Sequence, residues 1–393
     1  MIHLHAFCIT KSSSRKDSFM LLRVTAPTLL FLSCSLIFTQ ITQASEDTTP
    51  MNSAECISDI DFTAKFLMEN DAGIRAKNWT AYPENIQKIL DTQKGKMSNV
   101  QTVKDCQEIA KPFLKSIRKS HLNLSTKSMN DYVKISSTPQ NNNDLVITKK
   151  LSDLTTYIFV PSFGLTIKDQ LETIIKNNKD NLLNAQYLIL DLRKNPGGQD
   201  NSAVPLYKLL GEADYWFEMP QIYTSPVNIQ GYKELQELIP DQKTKKEIAQ
   251  LIRKMEQKKE SWGYSEGEKS LSVDKITKKD VLATPKKVVV LTNEKCASSC
   301  EEFVKSTRQN PRVVTIGQNT NGGLDASNIR ATKTPSTKLS LWYATSYVHR
   351  RPGQEIDNIG IPPSIKLPKP NNPQEYENEI KFAQGYLEQE KWK

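Results

Sequence analysis

Three short segments of the chain combine residue types suited to acyl chemistry. The first is DLRKNPGG (191–198), where a short apolar run breaks into Asn-Pro-Gly-Gly. Two glycines after a proline permit positive φ and a tight turn whose backbone N–H groups point outward. Such amides can stabilise an oxyanion, although the octapeptide alone also reads as an ordinary β-turn. The second is NEKCASSCEEF (293–303), which follows another apolar run and opens a helix. Ser298 and Glu301 stand at the spacing of a capping box. The Ser298 hydroxyl is therefore either a plain helix cap or a nucleophile at the positive end of a helix dipole. The third is GQNTNGG (317–323), a further glycine-rich turn after an apolar run.

A serine nucleophile needs a base titrating near neutrality, and the chain has only four histidines. His3 and His5 lie in an N-terminal leader. His349 sits in the basic run HRRPG and reads as solvated. His121, in IRKSHLNLS, is the remaining candidate.

These residues must be positioned by the elements around them. YIFVPSF (157–163), YLILDL (187–192), KVVVLT (287–292) and RVVTIG (312–317) read as buried strands, and LSLWYATSYV (339–348) as a longer one. Helical patterns at 167–181, 203–210 and 299–308 alternate with them, which argues an α/β layered domain. The three turns leave the carboxyl ends of strands, where active sites of open α/β sheets gather. Residues 46–120 read as helical, with Ile86, Ile89 and Leu90 on one face and Ile109, Phe113 and Ile117 on another. Residues 122–150 are polar and Asn-rich, a loop or hairpin. An insertion at 212–284 holds Trp216, Trp262 and a helix from 241 to about 260 opened by Pro240. Its stripe of Ile248, Leu251, Ile252 and Met255 suits a lid, a dimer contact or a helix packed on the main domain.

Composition bounds the function. The 393 residues are 37% hydrophobic and 25% charged, which excludes a wholly disordered chain. The formal charge is +9, part of it in the leader. The densest basic cluster, 243–259, is interleaved with glutamates and reads as a solvated helix face, so no nucleic-acid partner is expected. The apolar run TLLFLSCSLIF (28–38) after basic residues has the layout of a secretory signal peptide, with cleavage expected after Ala44 and Met20 as a tidier start. That run is too short to span a bilayer, so no stable membrane span is expected after cleavage. An exported protein, periplasmic or extracellular, follows.

Four cysteines then remain: Cys56, Cys106, Cys296 and Cys300. Three connectivities exist, and Cys56–Cys106 with Cys296–Cys300 is the natural reading. Residues four apart in a regular helix have Cβ atoms about 5–6 Å apart, against the roughly 3.5–4.5 Å a disulfide needs. A Cys296–Cys300 bridge therefore requires Cys296 to lie in the turn. No cysteine has a histidine at zinc-ligand spacing, so no metal is expected. No nucleotide motif is present and no cofactor is implied.

Together the segments resemble the C-terminal processing (tail-specific) protease family, relatives of the tricorn core protease, over about residues 110–365. LILDLRKNPGG, VVVLTNEKCASSCEEF, VVTIGQNTNGG and DNIGIPPSI (357–365) carry the resemblance. It implies a ClpP/crotonase-like layered β-β-α domain preceded by a small helical domain. The expected boundaries are a signal peptide at 1–44, a helical domain at 45–121, a connecting loop or hairpin at 122–156, the α/β protease domain at 157–370, and a C-terminal helix or tail at 371–393. The resemblance places the nucleophile at Ser298, with Ser299 as runner-up. The family's Ser-Lys arrangement is excluded by Gly322–Gly323 at the lysine position. Its tricorn-like arrangement fits Ser120–His121, with Asp357 or its neighbour Glu355 as the acidic member orienting His121. Gly198 and Ser299 would hold the oxyanion, with Gly197 the alternative to Gly198. No PDZ domain fits into residues 122–156. The implied function is an exported serine endopeptidase acting on peptides or proteins through an acyl-enzyme. Its competitors are a catalytically inactive binding protein of the same fold and, more remotely, an acyl-CoA enzyme.

Overall fold

The computed structural model describes residues 48–136, 145–210, 213–239, 242–258, 261–264, 268–272 and 285–389. The leader, its cleavage point, Pro240 and Asp241 lie outside them.

Strands Tyr187–Asp191 and Lys287–Thr292 are buried along almost their whole length, as continuous apolar runs in a sheet covered on both faces should be. Among the described residues they form the centre of a six-stranded sheet ordered Ile365–Lys366, Val313–Gly317, Lys287–Thr292, Tyr187–Asp191, Thr155–Phe159 and Ile147–Lys150. All neighbours run parallel except the last pair. Successive side chains alternate between faces. Leu188, Leu190, Val288 and Val290 pack under Ile167, Leu171, Leu206 and Phe303 of helices Ile167–Asn177, Val204–Leu209 and Ser299–Thr307. Ile189, Val289 and Leu291 face the other way, onto Ala383 and Leu387 of helix Pro373–Glu388.

The register brings the strand ends level. Phe159 lies opposite Asp191, Asp191 opposite Leu291, and Gly317 opposite Thr292. The turns that follow these strands therefore emerge together along one edge, as the α/β reading requires. Arg193, just beyond Asp191, ties this edge to the C-terminal helix. Its guanidinium bonds Asp191 at 2.5 Å and Glu379 at 2.7 Å, and Gln318 bonds the other Glu379 oxygen at 2.7 Å.

A second sheet pairs Ser340–Tyr347 with Asn123–Ser125, Ala326–Lys333 and Gln221–Tyr223, and Gln221–Tyr223 in turn with Trp262–Tyr264. It shares a core with the N-terminal helices: Ile60, Leu67, Phe113 and Leu114 pack with Leu124, Leu341 and Tyr343. The Cys56–Cys106 disulfide joins helices Ser53–Asn70 and Val103–Ile117 within that core.

Residues expected as a loop or hairpin at 122–150 hold strand Asn123–Ser125, helix Met129–Ser136 and strand Ile147–Lys150; 137–144 lie outside the described residues. The helix expected at 167–181 breaks at Asn178, whose side-chain amide donates to the Ile174 carbonyl at 2.9 Å. Such local side-chain bonds compete with helix continuation. In the insertion, the stripe Ile248, Leu251, Ile252 and Met255 packs on Ile222, Ile229 and Tyr232. Strand Asp214–Glu218 pairs with Glu268–Ser272. Among the described residues no helix is long and apolar enough to cross a membrane.

Candidate active site

Ser298 stands between strand Lys287–Thr292 and helix Ser299–Thr307, at φ 56° and ψ −124°. A non-glycine residue is rare there, and such strained positions persist only where the surroundings fix them. The surroundings are specific. The Glu301 carboxylate accepts the Ser298 amide at 3.1 Å, the Gly322 and Gly323 amides at 2.7 and 2.8 Å, and the Thr320 hydroxyl at 2.6 Å. Burial pushes the Glu301 carboxyl up, against these donors, which hold it down. Glu301 is thus both the expected capping partner and the clamp between the serine elbow and turn 320–323. Cys296 and Cys300 are bridged across the elbow, with Cα atoms 5.4 Å apart and Cys296 in the turn ahead of the helix. This meets the geometric condition that the sequence set.

The glycine pair closes against the elbow. Gly197 adopts φ 93° and Gly198 φ 142°. The Gly197 amide donates to the Asn195 side chain at 2.9 Å, and the Ala297 amide donates to the Asn195 carbonyl at 3.2 Å. The amides of Gly198 and Ser299 have no protein acceptor among the described residues. Two unengaged donors beside the serine, one of them at a helix N-terminus, form a place for negative charge. Of the two glycines expected as donors, Gly198 is the free one. A Cβ on Gly197 would come within 2.5 Å of the Ala297 carbonyl and 2.9 Å of the Ser298 Cβ. Gly197→Ala is therefore expected to displace the elbow and lower kcat/KM at least about 100-fold, with a fall in melting temperature, both measured on the purified variant.

His121 follows helix Val103–Ile117 at φ 61°. Arg118 fixes this turn. It pairs with the buried Asp71 at 2.9 Å, and it donates to the carbonyls of Ser120 at 2.9 Å and His121 at 3.2 Å. His121 Nδ1 lies 2.5 Å from the Ala326 carbonyl. A carbonyl only accepts, so Nδ1 carries the proton and Nε2 keeps its lone pair. Burial lowers the imidazole to about 4; the Ala326 carbonyl opposes this and the Arg118 charge adds to it. The ring is neutral and basic at Nε2 through the physiological range.

The two halves hang from turn 320–323. Ser120 Oγ bonds Asn321 Oδ1, the Asn321 amide donates to the Cys296 carbonyl at 2.9 Å, and a Cβ on Gly323 would fall 2.4 Å from the Ser120 Cβ. Ser120 and the Ser298 elbow, through Glu301 and Cys296, thus both contact this turn.

Asp357 takes a place different from the one expected. Its carboxylate accepts the amides of Leu324 at 2.9 Å, Asp325 at 2.8 Å and Ala326 at 3.1 Å. It meets His121 through the Ala326 backbone rather than directly, and Ser120 is bonded to Asn321. One methylene shorter than glutamate, the side chain fits the amides of the adjoining strand start. Asp325 answers in kind by accepting the Ile356 and Asp357 amides at 2.7 and 2.9 Å. Burial pushes Asp357 up to about 6, Arg118 pulls it down and Asp325 pushes it up again. Glu355 is exposed. Ser299 Oγ donates to the Gly198 carbonyl at 3.1 Å. His349 is exposed and packs edge-on against Trp262 and Tyr347. Sequence reasoning missed Asp71, Arg118, Asn195 and Asn321. Among the described residues no group of acidic, His or Cys side chains suits a metal ion.

Residues 155–367, more than half of the chain, match the sequence profile of Peptidase family S41. No curated protein matches the sequence. Among solved structures, the chain is similar to a putative peptidase from Parabacteroides merdae ATCC 43184, at 15% identity and a TM-score of 0.52, over 86% of this chain and 97% of that one. It is also similar to a lipoprotein from Streptococcus agalactiae, at 14% identity and a TM-score of 0.46, over 86% and 97%. Mature CPAF complexed with lactacystin is similar at 14% identity and 0.49, over 85% and 98%. The family match takes in the parallel sheet, the glycine turn and the serine elbow, while Ser120 and His121 lie ahead of it. A match of that extent across those elements means that the chain belongs to Peptidase family S41 and is a serine-type peptidase.

Proposed function

We infer that the protein hydrolyses peptide bonds through a Ser298 acyl-enzyme with His121 as the base. The observation that carries this is an imidazole held in its Nδ1–H form by the Ala326 carbonyl and a hydroxyl on a strained elbow, with their neighbours Ser120 and Glu301 both bonded to turn 320–323. Ser298 Oγ attacks the scissile carbonyl carbon as its proton passes to His121 Nε2. The carbonyl oxygen gains negative charge beside the Gly198 and Ser299 amides. The C–N bond then breaks and the amine leaves with the proton from His121. Water, deprotonated by the same nitrogen, releases the acyl group from Ser298. A fluorophosphonate probe tests the reading: labelling at Ser298, mapped on the digested protein, supports it, and an unlabelled Ser298 in folded protein refutes it, leaving the non-catalytic binding protein.

Asp357 acts in this scheme as a positioning residue, holding the strand start that holds His121. Below pH about 6 its carboxyl gains a proton and no longer offers two oxygens to three amides. Wild-type activity should therefore fall on the acid side with a limb near 6. In Asp357→Asn that limb should move toward the His121 value of about 4, with kcat about 100-fold lower. A pH–rate profile of both proteins, with the limb unmoved, would assign it elsewhere.

The two disulfides support an oxidising compartment and hence export of the mature chain.

A further inference from the structure

The Cys296–Cys300 bridge spans the nucleophile symmetrically, two residues before Ser298 and two after it. The residues between its ends are Ala297, Ser298 and Ser299, which bring the attacking hydroxyl and one of the two free oxyanion amides. Both cysteines are 0% exposed.

An elbow of this shape competes with a simpler conformation. A non-glycine residue at φ 56° pays a steric penalty that helical backbone does not. Glu294, Lys295 and Ala297, just ahead of Ser298, are good helix formers. If Ser298 turned helical, helix Ser299–Thr307 would run back through Lys295. The Ser299 amide would then donate to the Lys295 carbonyl four residues earlier and be lost to an oxyanion. Nor does the Ser298 hydroxyl secure the helix start, because a hydroxyl that attacks a carbonyl cannot at the same time cap its own helix. The backbone bonds at the front of the elbow, Ala297 to Asn195 at 3.2 Å and Asn321 to Cys296 at 2.9 Å, weigh about as much as the helical bonds that would replace them. The disulfide has no such substitute. In the extended helix Cys296 and Cys300 would stand at i and i+4, with Cβ atoms about 5–6 Å apart, beyond the roughly 3.5–4.5 Å that a disulfide spans. The bridge fits the elbow and excludes its competitor.

We propose that the Cys296–Cys300 disulfide is a positioning element of the catalytic site, so that the peptidase folds but stays nearly idle while this pair is reduced and becomes competent when a disulfide oxidant closes it. This rests on the peptidase reading of Ser298. Closure joins the two Sγ atoms, and the two thiol protons and two electrons pass to the oxidant, which leaves as two thiols. Because both cysteines are fully buried, a bridge once formed is shielded from attack by solvent thiols. The step is therefore an activation during folding rather than a reversible switch, and it confines proteolysis to a compartment that supplies the oxidant.

The test compares wild type with Cys296→Ala/Cys300→Ala, following peptide hydrolysis, fluorophosphonate labelling of Ser298 and thermal melting. The double variant should melt cooperatively, with kcat at least about 30-fold lower, KM within a few-fold and labelling slowed in proportion. A variant with a lower melting temperature but kcat within about 3-fold of wild type overturns the proposal, because the bridge then only stabilises the fold. If the variant does not fold, the decision falls to reduced, unfolded wild type refolded either in dithiothreitol or in a glutathione thiol–disulfide mixture, with the closed pairs mapped by alkylation and mass. A native far-UV spectrum in both, with activity only where the 296–300 pair has closed, supports the proposal. Equal activity in both overturns it, and so does failure to fold in dithiothreitol, since the elbow alone should depend on this bridge. Oxidised wild type that neither labels nor cleaves overturns it together with the peptidase reading.

Discussion

Ser298→Ala is expected to lower kcat for a peptide substrate by about 10⁶-fold, with substrate affinity nearly unchanged. The hydroxyl makes the bond that starts the reaction, and no other group near the elbow can take its place. Ser299 is the nearest hydroxyl, but its Oγ already donates to the Gly198 carbonyl at 3.1 Å, inside the first turn of the helix. Ser299→Ala should therefore keep labelling by a fluorophosphonate while Ser298→Ala loses it. Activity left in Ser298→Ala would come from the Gly198 and Ser299 amides and from binding. The elbow offers a second readout. A residue at φ 56° carries strain that alanine inherits and glycine does not. Ser298→Gly should be as inactive as Ser298→Ala but melt at a higher temperature, the gain corresponding to about 1–2 kcal/mol. Wild-type turnover in either variant would remove Ser298 from the chemistry.

What could be read from the sequence was whatever local pattern controls. Continuous apolar runs gave away Tyr187–Asp191 and Lys287–Thr292 because a strand covered on both faces has no polar positions to show. Pro-Gly-Gly announced its turn because only glycine meets the φ values found at Gly197 and Gly198. The spacing of Ser298 and Glu301 announced a helix start, but not that Glu301 would also accept from Thr320, Gly322 and Gly323. Strand Ala326–Lys333 was not foreseen: its polar, unevenly buried residues lack the alternation that marks a strand. The support of His121 was invisible for a different reason. Asp71 and Arg118 meet from separate helical segments, and what Arg118 grips are backbone carbonyls, which every residue has. The partner of His121 Nδ1 is likewise a peptide carbonyl, at Ala326. The family resemblance pointed instead to Asp357, which belongs to the same support but reaches the ring only through the Ala326 backbone.

His121→Ala should cost about as much as Ser298→Ala, roughly 10⁶-fold in kcat, and the double variant should be no slower than either single one. The two groups perform one proton transfer, so removing either leaves nothing for the other to do. A double variant much slower than both singles would mean that they act independently. Acid titration provides a readout that does not depend on turnover. The imidazole titrates at about 4 in the folded protein, against an ordinary 6.5. Between those values the unfolded chain binds a proton that the folded one refuses, so the folded state loses stability as pH falls from 6.5 toward 4. The loss is on the order of 1–3 kcal/mol for a shift of this size. In His121→Ala the proton has no ring to bind in either state. Its denaturation midpoint should therefore fall less than that of wild type over the same pH interval. Parallel curves for the two proteins would mean that the ring titrates in the fold as it does in the unfolded chain, near 6.5, and that burial does not depress it.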